Sequence, residues 1–138
     1  MKETVMKDMK RARLARVSHV PCTADVQLQA TINEQVIARM LQGDTTDQND
    51  EVDVIVGQHG VEVKTLARGQ RDKITVHPSS RRRKESWARK HKAMLHTVAV
   101  DDRGDKRTLY YRSGVGAYRL HTMTVVRSAS HLRQLVNA

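Results

Sequence analysis

Residues Val52–Leu66, VDVIVGQHGVEVKTL, constrain the fold more tightly than any other stretch of the chain. Two β-branched runs, Val52–Val56 and Val61–Leu66, flank Gly57-Gln58-His59-Gly60. β-branched side chains suit a pleated, half-buried surface, and glycine supplies the backbone freedom of a tight reversal, so the pattern predicts a β-hairpin. Placing Val56 opposite Val61 sets Asp53 across from Lys64 and Ile55 across from Glu62. Side chains alternate between faces, so Asp53, Glu62 and Lys64 emerge together while Val52, Val54, Val61 and Val63 turn into a core. Such a face is either a solvated ion pair, worth ~0.2–1 kcal/mol, or a chemical site.

The rest of the chain supplies partners for this hairpin. Thr23 to about Gln42 reads as a helix stopped by Gly43, with Leu28, Ile32, Val36, Ile37, Met40 and Leu41 on its apolar side. Glu34, the one acidic residue in the interior of that helix, falls at the margin of the stripe. Gly43–Glu51 is a polar loop, Ala67–Asp72 a turn, and Lys73–His77 a third strand ended by Pro78. Ser79 or Ser80 caps a second helix, SSRRRKESWARKHKAML, whose narrow apolar stripe is Trp87, His91 and Met94. Strands follow at Leu95–Val100, Leu109–Arg112 and Ala117–His121, the last two joined through Ser113–Gly116. Ser128 or Ser130 caps a final helix over His131–Val136.

Charge is distributed unevenly. The net charge is +10 over 138 residues, yet residues 21–60 carry seven acidic side chains against one basic. Residues 61–100 carry eleven basic against three acidic. A polyanionic partner accounts for the basic part, and a divalent cation reconciles the acidic block with that partner. Residues 1–22 read as a basic arm and 23–138 as a single domain. The lone Cys22 excludes an intrachain disulfide framework and suits a reducing, cytoplasmic setting. No apolar run approaches the ~20 residues of a membrane span. Aromatics are only 3% of the chain, which argues against recognition by stacked bases. On the second helix Arg81, Arg82, Arg83, Lys84, Arg89 and Lys90 have almost no acidic counterparts, so that helix is expected to face phosphates. The seven histidines have no metal-ligand spacing, and His19-x-x-Cys22 lacks a second half.

An Asp on one strand followed by Glu-x-Lys on the next, here Asp53 and Glu62-Val63-Lys64, resembles the PD-(D/E)XK, or restriction-endonuclease-like, nucleases. Val52 stands where a proline often precedes the Asp, so the match rests on the charged residues. The resemblance covers roughly residues 23–100 and implies an α/β (α+β) fold: an αβββαβ core with a mixed sheet flanked by helices. It implies that Asp53 and Glu62 hold Mg²⁺ or Mn²⁺, with the Val63 carbonyl as a further ligand and Glu34 assisting. Lys64 would then serve hydrolysis of a DNA phosphodiester. The rival reading keeps the fold as a non-catalytic DNA-binding or phage head-associated domain, suggested also by Tyr110-Tyr111 and Gly114-x-Gly116-x-Tyr118-Arg119. An RNA-binding, ribosome-associated protein fits the charge but leaves Asp53, Glu62 and Glu34 without a role. The setting implied is a bacterial or phage-infected cell, with monomer and homodimer both open.

Overall fold

A mixed six-stranded sheet carries the fold, in the computed structural model that describes residues 23–46 and 51–138. The basic arm expected over residues 1–22, with His19 and Cys22, lies outside the described residues, as does part of the polar loop. Helix α1 spans Thr23–Leu41, followed by β1 (Asp44–Thr45), β2 (Val54–Val56), β3 (His59–Leu66) and β4 (Lys73–Thr75). Helix α2 spans Pro78–His91, and β5 (Met94–Asp101), β6 (Thr108–Ser113) and β7 (Ala117–Arg119) come next. A 3₁₀ turn (Leu120–Thr122), β8 (Thr124–Val126) and α3 (Ala129–Asn137) complete the chain. The large sheet runs β1-β2-β3-β5-β6-β8, antiparallel except for the central β3–β5 pair. No helix among the described residues is long and apolar enough to cross a membrane.

The β3–β5 pair explains the layering. A parallel neighbour requires a crossover, and β4 and α2 supply it. Alternation along β3 and β5 then sends Val61, Val63, Val98 and Val100 to one face, into a core with Ile37, Ala38 and Leu41 of α1 and Leu132 and Val136 of α3. The other face, with Leu66 and Ala99, packs against Ile74, Leu120 and Met123. That face is covered by α2 and by a separate two-stranded sheet, β4–β7.

Several expectations are corrected. The hairpin loop has two residues, not four: Val56 pairs with His59 and Val54 with Val61, and Gly57 (φ 56°) provides the left-handed first position. Asp53, one residue beyond the last pair, bonds to Val61 and Val63 and is not set across from Lys64. The second glycine serves packing, since a Cβ on Gly60 would lie 2.7 Å from the Trp87 ring and 3.2 Å from Val52. Val52 is thus buried beside Gly60 and Trp87, apart from the Val54–Val61–Val63 core. The third strand pairs with β7 instead of joining the main sheet, and β6 takes β8 as its outer partner. Helix α2 starts at Pro78, with His77 accepting from Ser79 N–H, because proline is well suited to the first helical turn. It ends at His91 on a left-handed Lys92, so Met94 belongs to β5. Ser128 caps the last helix by accepting from His131 N–H.

Candidate active site

The site forms where β2 runs out. The β2–β3 ladder ends at Val54–Val61, and β3 continues alone on that side to Leu66. Asp53 extends the pairing by one bond, its N–H donating to the Val61 carbonyl at 3.1 Å. Its side chain then takes over from the missing strand, with Oδ2 accepting from Val63 N–H at 2.8 Å. Thr46 fixes the approach: its N–H donates to the Asp53 carbonyl at 3.1 Å and its hydroxyl to the Val52 carbonyl. An open strand edge is reachable from both faces of the sheet, so α1 and α2, on opposite layers, both send side chains to it.

From α1 comes Glu34, half-buried and in hydrogen-bonding reach of Asp53. The neighbouring Asn33 is buried and donates its amide to Thr65 Oγ1 at 2.9 Å, while Gln29 donates to Asn33 Oδ1 at 3.3 Å. These polar residues pin α1 to β3 one residue from Glu34. From α2 comes Lys84, only 7% exposed, whose Nζ lies 2.9 Å from Glu62 Oε2 and donates to the Glu51 carbonyl. Glu62 itself is 5% exposed, and its Oε1 lies 3.4 Å from Lys64 Nζ. The Lys64 side chain remains 38% exposed and faces solvent at the rim.

The charge of Glu62 acts on two neighbouring carboxyl groups in this corner. Burial, then the charge of Glu62, push Asp53 up to about 7, against the opposing pull of the Val63 N–H. Burial and the same Glu62 charge also raise Glu34. Burial is the largest cause for both groups, and the hydrogen bond with Asp53 opposes the rise at Glu34. Perturbed carboxyls in a corner reached from several elements make this the candidate site.

The sequence-derived residues separate into two groups. Asp53, Glu62, Lys64 and Glu34 are brought together, and Val63 joins them through its backbone N–H. Of the basic helix, Lys84 differs from expectation: it points inward to Glu62, away from any phosphate on the outer face. Arg81 pairs with Glu85 at 2.7 Å and Arg83 approaches Glu51 at 3.5 Å. Arg82, Arg89 and Lys90 are exposed, with no acidic partner among the described residues. The inward turn of Lys84 was available in the helical period, because Lys84, Trp87, Ala88 and His91 share one face. The fold also assembles histidines that spacing had dismissed. His59 Nδ1 lies 2.9 Å from His96 Nε2, and His96 Nδ1 lies 2.6 Å from the Tyr111 hydroxyl, a polar chain through the core from β3 to β6.

Comparison with known proteins assigns no family: no family model matches the chain, and neither does a curated protein. Among the described residues, no three His, Cys, Asp or Glu side chains stand as a ready-made metal cluster. The donor chemistry nevertheless fits a hard divalent cation. The charge of Glu62 is felt at both Asp53 and Glu34, and Glu62 Oε2 is buried without an aligned hydrogen-bond donor. Mg²⁺ typically takes one or two carboxylates and completes its shell with water and substrate phosphate, so a preassembled cage is not required.

Proposed function

We propose that this chain is a divalent-metal-dependent DNA endonuclease of the restriction-endonuclease-like class, hydrolysing phosphodiester bonds at the open edge of β3. The observation that carries the proposal is the convergence of Glu34, Asp53, Glu62 and Lys64, from α1, the approach to β2, and β3, around a single strand edge. A surface ion pair needs neither a buried glutamate nor a second and third carboxyl with raised pKa. The α-β-β…α-β order with a parallel β3–β5 pair supports the same class.

Asp53 and Glu62 would hold Mg²⁺ or Mn²⁺, with Glu34 and the Val63 carbonyl as supplementary oxygens. When bound, the ion supplies Lewis-acid polarisation of the scissile phosphate and a lowered pKa for an attacking water. Asp53 must be deprotonated to take part, and its hydrogen bond from Val63 N–H aims one oxygen along the strand. Lys64, tethered at 3.4 Å to Glu62 yet exposed, offers a positive charge where the phosphorus centre gathers negative charge. Arg82, Arg89 and Lys90 on the outer side of α2 would hold the DNA backbone without reading bases.

The direct test is Mg²⁺- or Mn²⁺-dependent cleavage of plasmid, linear, branched and single-stranded DNA by wild type and Glu62→Gln. Cleavage by wild type that Glu62→Gln loses while folded is the expected result. DNA binding without cleavage under either metal would leave the non-catalytic domain of the same fold.

A further inference from the structure

Lys84 has no part in the reading above, yet it is the most deeply committed cation of the site. A lysine ammonium is strongly hydrated, and taking it out of water costs several kcal/mol unless partners replace that water. Here the partners are Glu62 Oε2 at 2.9 Å and the Glu51 carbonyl. The burial is built into the fold: Trp87, three residues on, packs against Gly60, and Ala88, four residues on, is buried beside it. The oxygen that Lys84 occupies belongs to the carboxylate that the nuclease reading gives to the metal. Two cations in contact with one carboxylate oxygen repel strongly at a low effective dielectric.

We infer that Lys84 and the divalent cation are alternative partners of Glu62 Oε2, so that Lys84 serves as a resident counter-ion that metal binding must displace. The inference rests on the metal-centre reading and adds to it a competition built into the free protein. It gives the buried Glu62 carboxylate a compensating charge within the fold. Lys84 is therefore a positioning residue that sets metal affinity, distinct from the rim lysine Lys64, whose side chain is 38% exposed.

Two measurements test this on the whole chain. Calorimetric titration with Mn²⁺ is carried out on wild type, Lys84→Met and, as a charge control on the outer face of the same helix, Lys90→Met. Lys84→Met should bind Mn²⁺ at least about fivefold more tightly than wild type, with Lys90→Met unchanged. Lys84→Met takes the buried ammonium from Glu62 Oε2 and leaves only the exposed Lys64, so its melting temperature without metal should fall and recover with Mn²⁺ by more than that of wild type. The second measurement needs no substitution: acylation of lysines in wild type, followed by mass spectrometry. Lys84 should label slowly without metal and faster with Mn²⁺, while Lys90 labels equally in both. Binding in wild type that is no weaker than in Lys84→Met, or Lys84 labelling unmoved by Mn²⁺ in a protein that binds it, overturns the competition alone. No Mn²⁺ binding by any of the proteins overturns the metal-centre reading with it.

Discussion

Asp53 concentrates the chemistry of the corner in one side chain. Its folded-state pKa of about 7 lies above the ordinary aspartate value near 3.8. Between those values the folded, metal-free protein binds a proton that the unfolded chain has released, so this group removes stability as pH rises from about 4 to about 7. Asp53→Asn takes the burden away. The melting temperature of Asp53→Asn minus that of wild type, both metal-free, should therefore grow steadily from pH 4 to pH 7, and should not shrink. In the same experiments Mn²⁺ affinity of wild type should weaken below about pH 7, and Asp53→Asn should bind Mn²⁺ poorly at every pH. At this scale the charged residues of the site were legible in sequence, because Asp53, Glu62 and Lys64 sit at strand-compatible spacing. Lys84 was not, because a basic run on a helix reads as solvated until the phase of Trp87 and Ala88 is given more weight than the charge. Asn33 and Gln29 were missed for the related reason that a buried amide leaves no apolar mark.

Elements decide how those residues meet. The hairpin exists where the β-branched runs place it, but with a shorter loop, and the register moves by two residues. An even slip keeps the paired residues Val54, Val61 and Val63 on the core face, while Val52, beyond the last pair, turns to the Gly60 and Trp87 side. Both glycines invite assignment to the turn, whereas one serves the turn and the other the approach of α2. That division is testable. Gly60→Ala drives a methyl into Trp87 and should cost about 1–3 kcal/mol in denaturant unfolding. Gly104→Ala, with open space and a φ outside the left-handed region, should change stability by less than about 1 kcal/mol. Equal costs would mean that α2 is not seated on Gly60. The outer face of α2 carries a separate expectation. Neutralising Arg82, Arg89 and Lys90 together should flatten the slope of log affinity against log salt by ~0.9 per lost contact with B-DNA. An unchanged slope would mean that this face is merely solvated. The two- and three-residue strands β1 and β8 left no readable run, since pairing with β2 and β6 creates them.

At the scale of the molecule, the three-layer plan joins the site to the core. The sequence pointed to a mixed sheet with helices, but whether β4 would pair with β2 or with β7 depends on contacts far apart in the chain. The His59–His96–Tyr111 chain likewise exists only in three dimensions. Burial, helped by His59, lowers His96 to about 4, so the unfolded chain takes up a proton near pH 6.5 that the folded protein refuses until about pH 4. His96 is 2% exposed, and on the order of 3 kcal/mol should be lost as pH falls through that window. Its slope opposes that of Asp53, so Asp53→Asn, freed of one of the two, should gain stability with rising pH more steeply than wild type. The central claim, that the open edge of β3 is a hydrolytic centre, meets its most direct test at Lys64, whose charge can be removed while the buried Glu62 keeps Lys84 as its partner. The measurement is single-turnover cleavage of DNA in Mg²⁺ by wild type and Lys64→Met, beside DNA affinity in Ca²⁺ and a melting curve for each. Cleavage should fall by roughly 10²–10³ with affinity and folding nearly unchanged. A folded, DNA-binding Lys64→Met protein that cleaves at the wild-type rate, or a wild type that cleaves no DNA with Mg²⁺ or Mn²⁺, would contradict it.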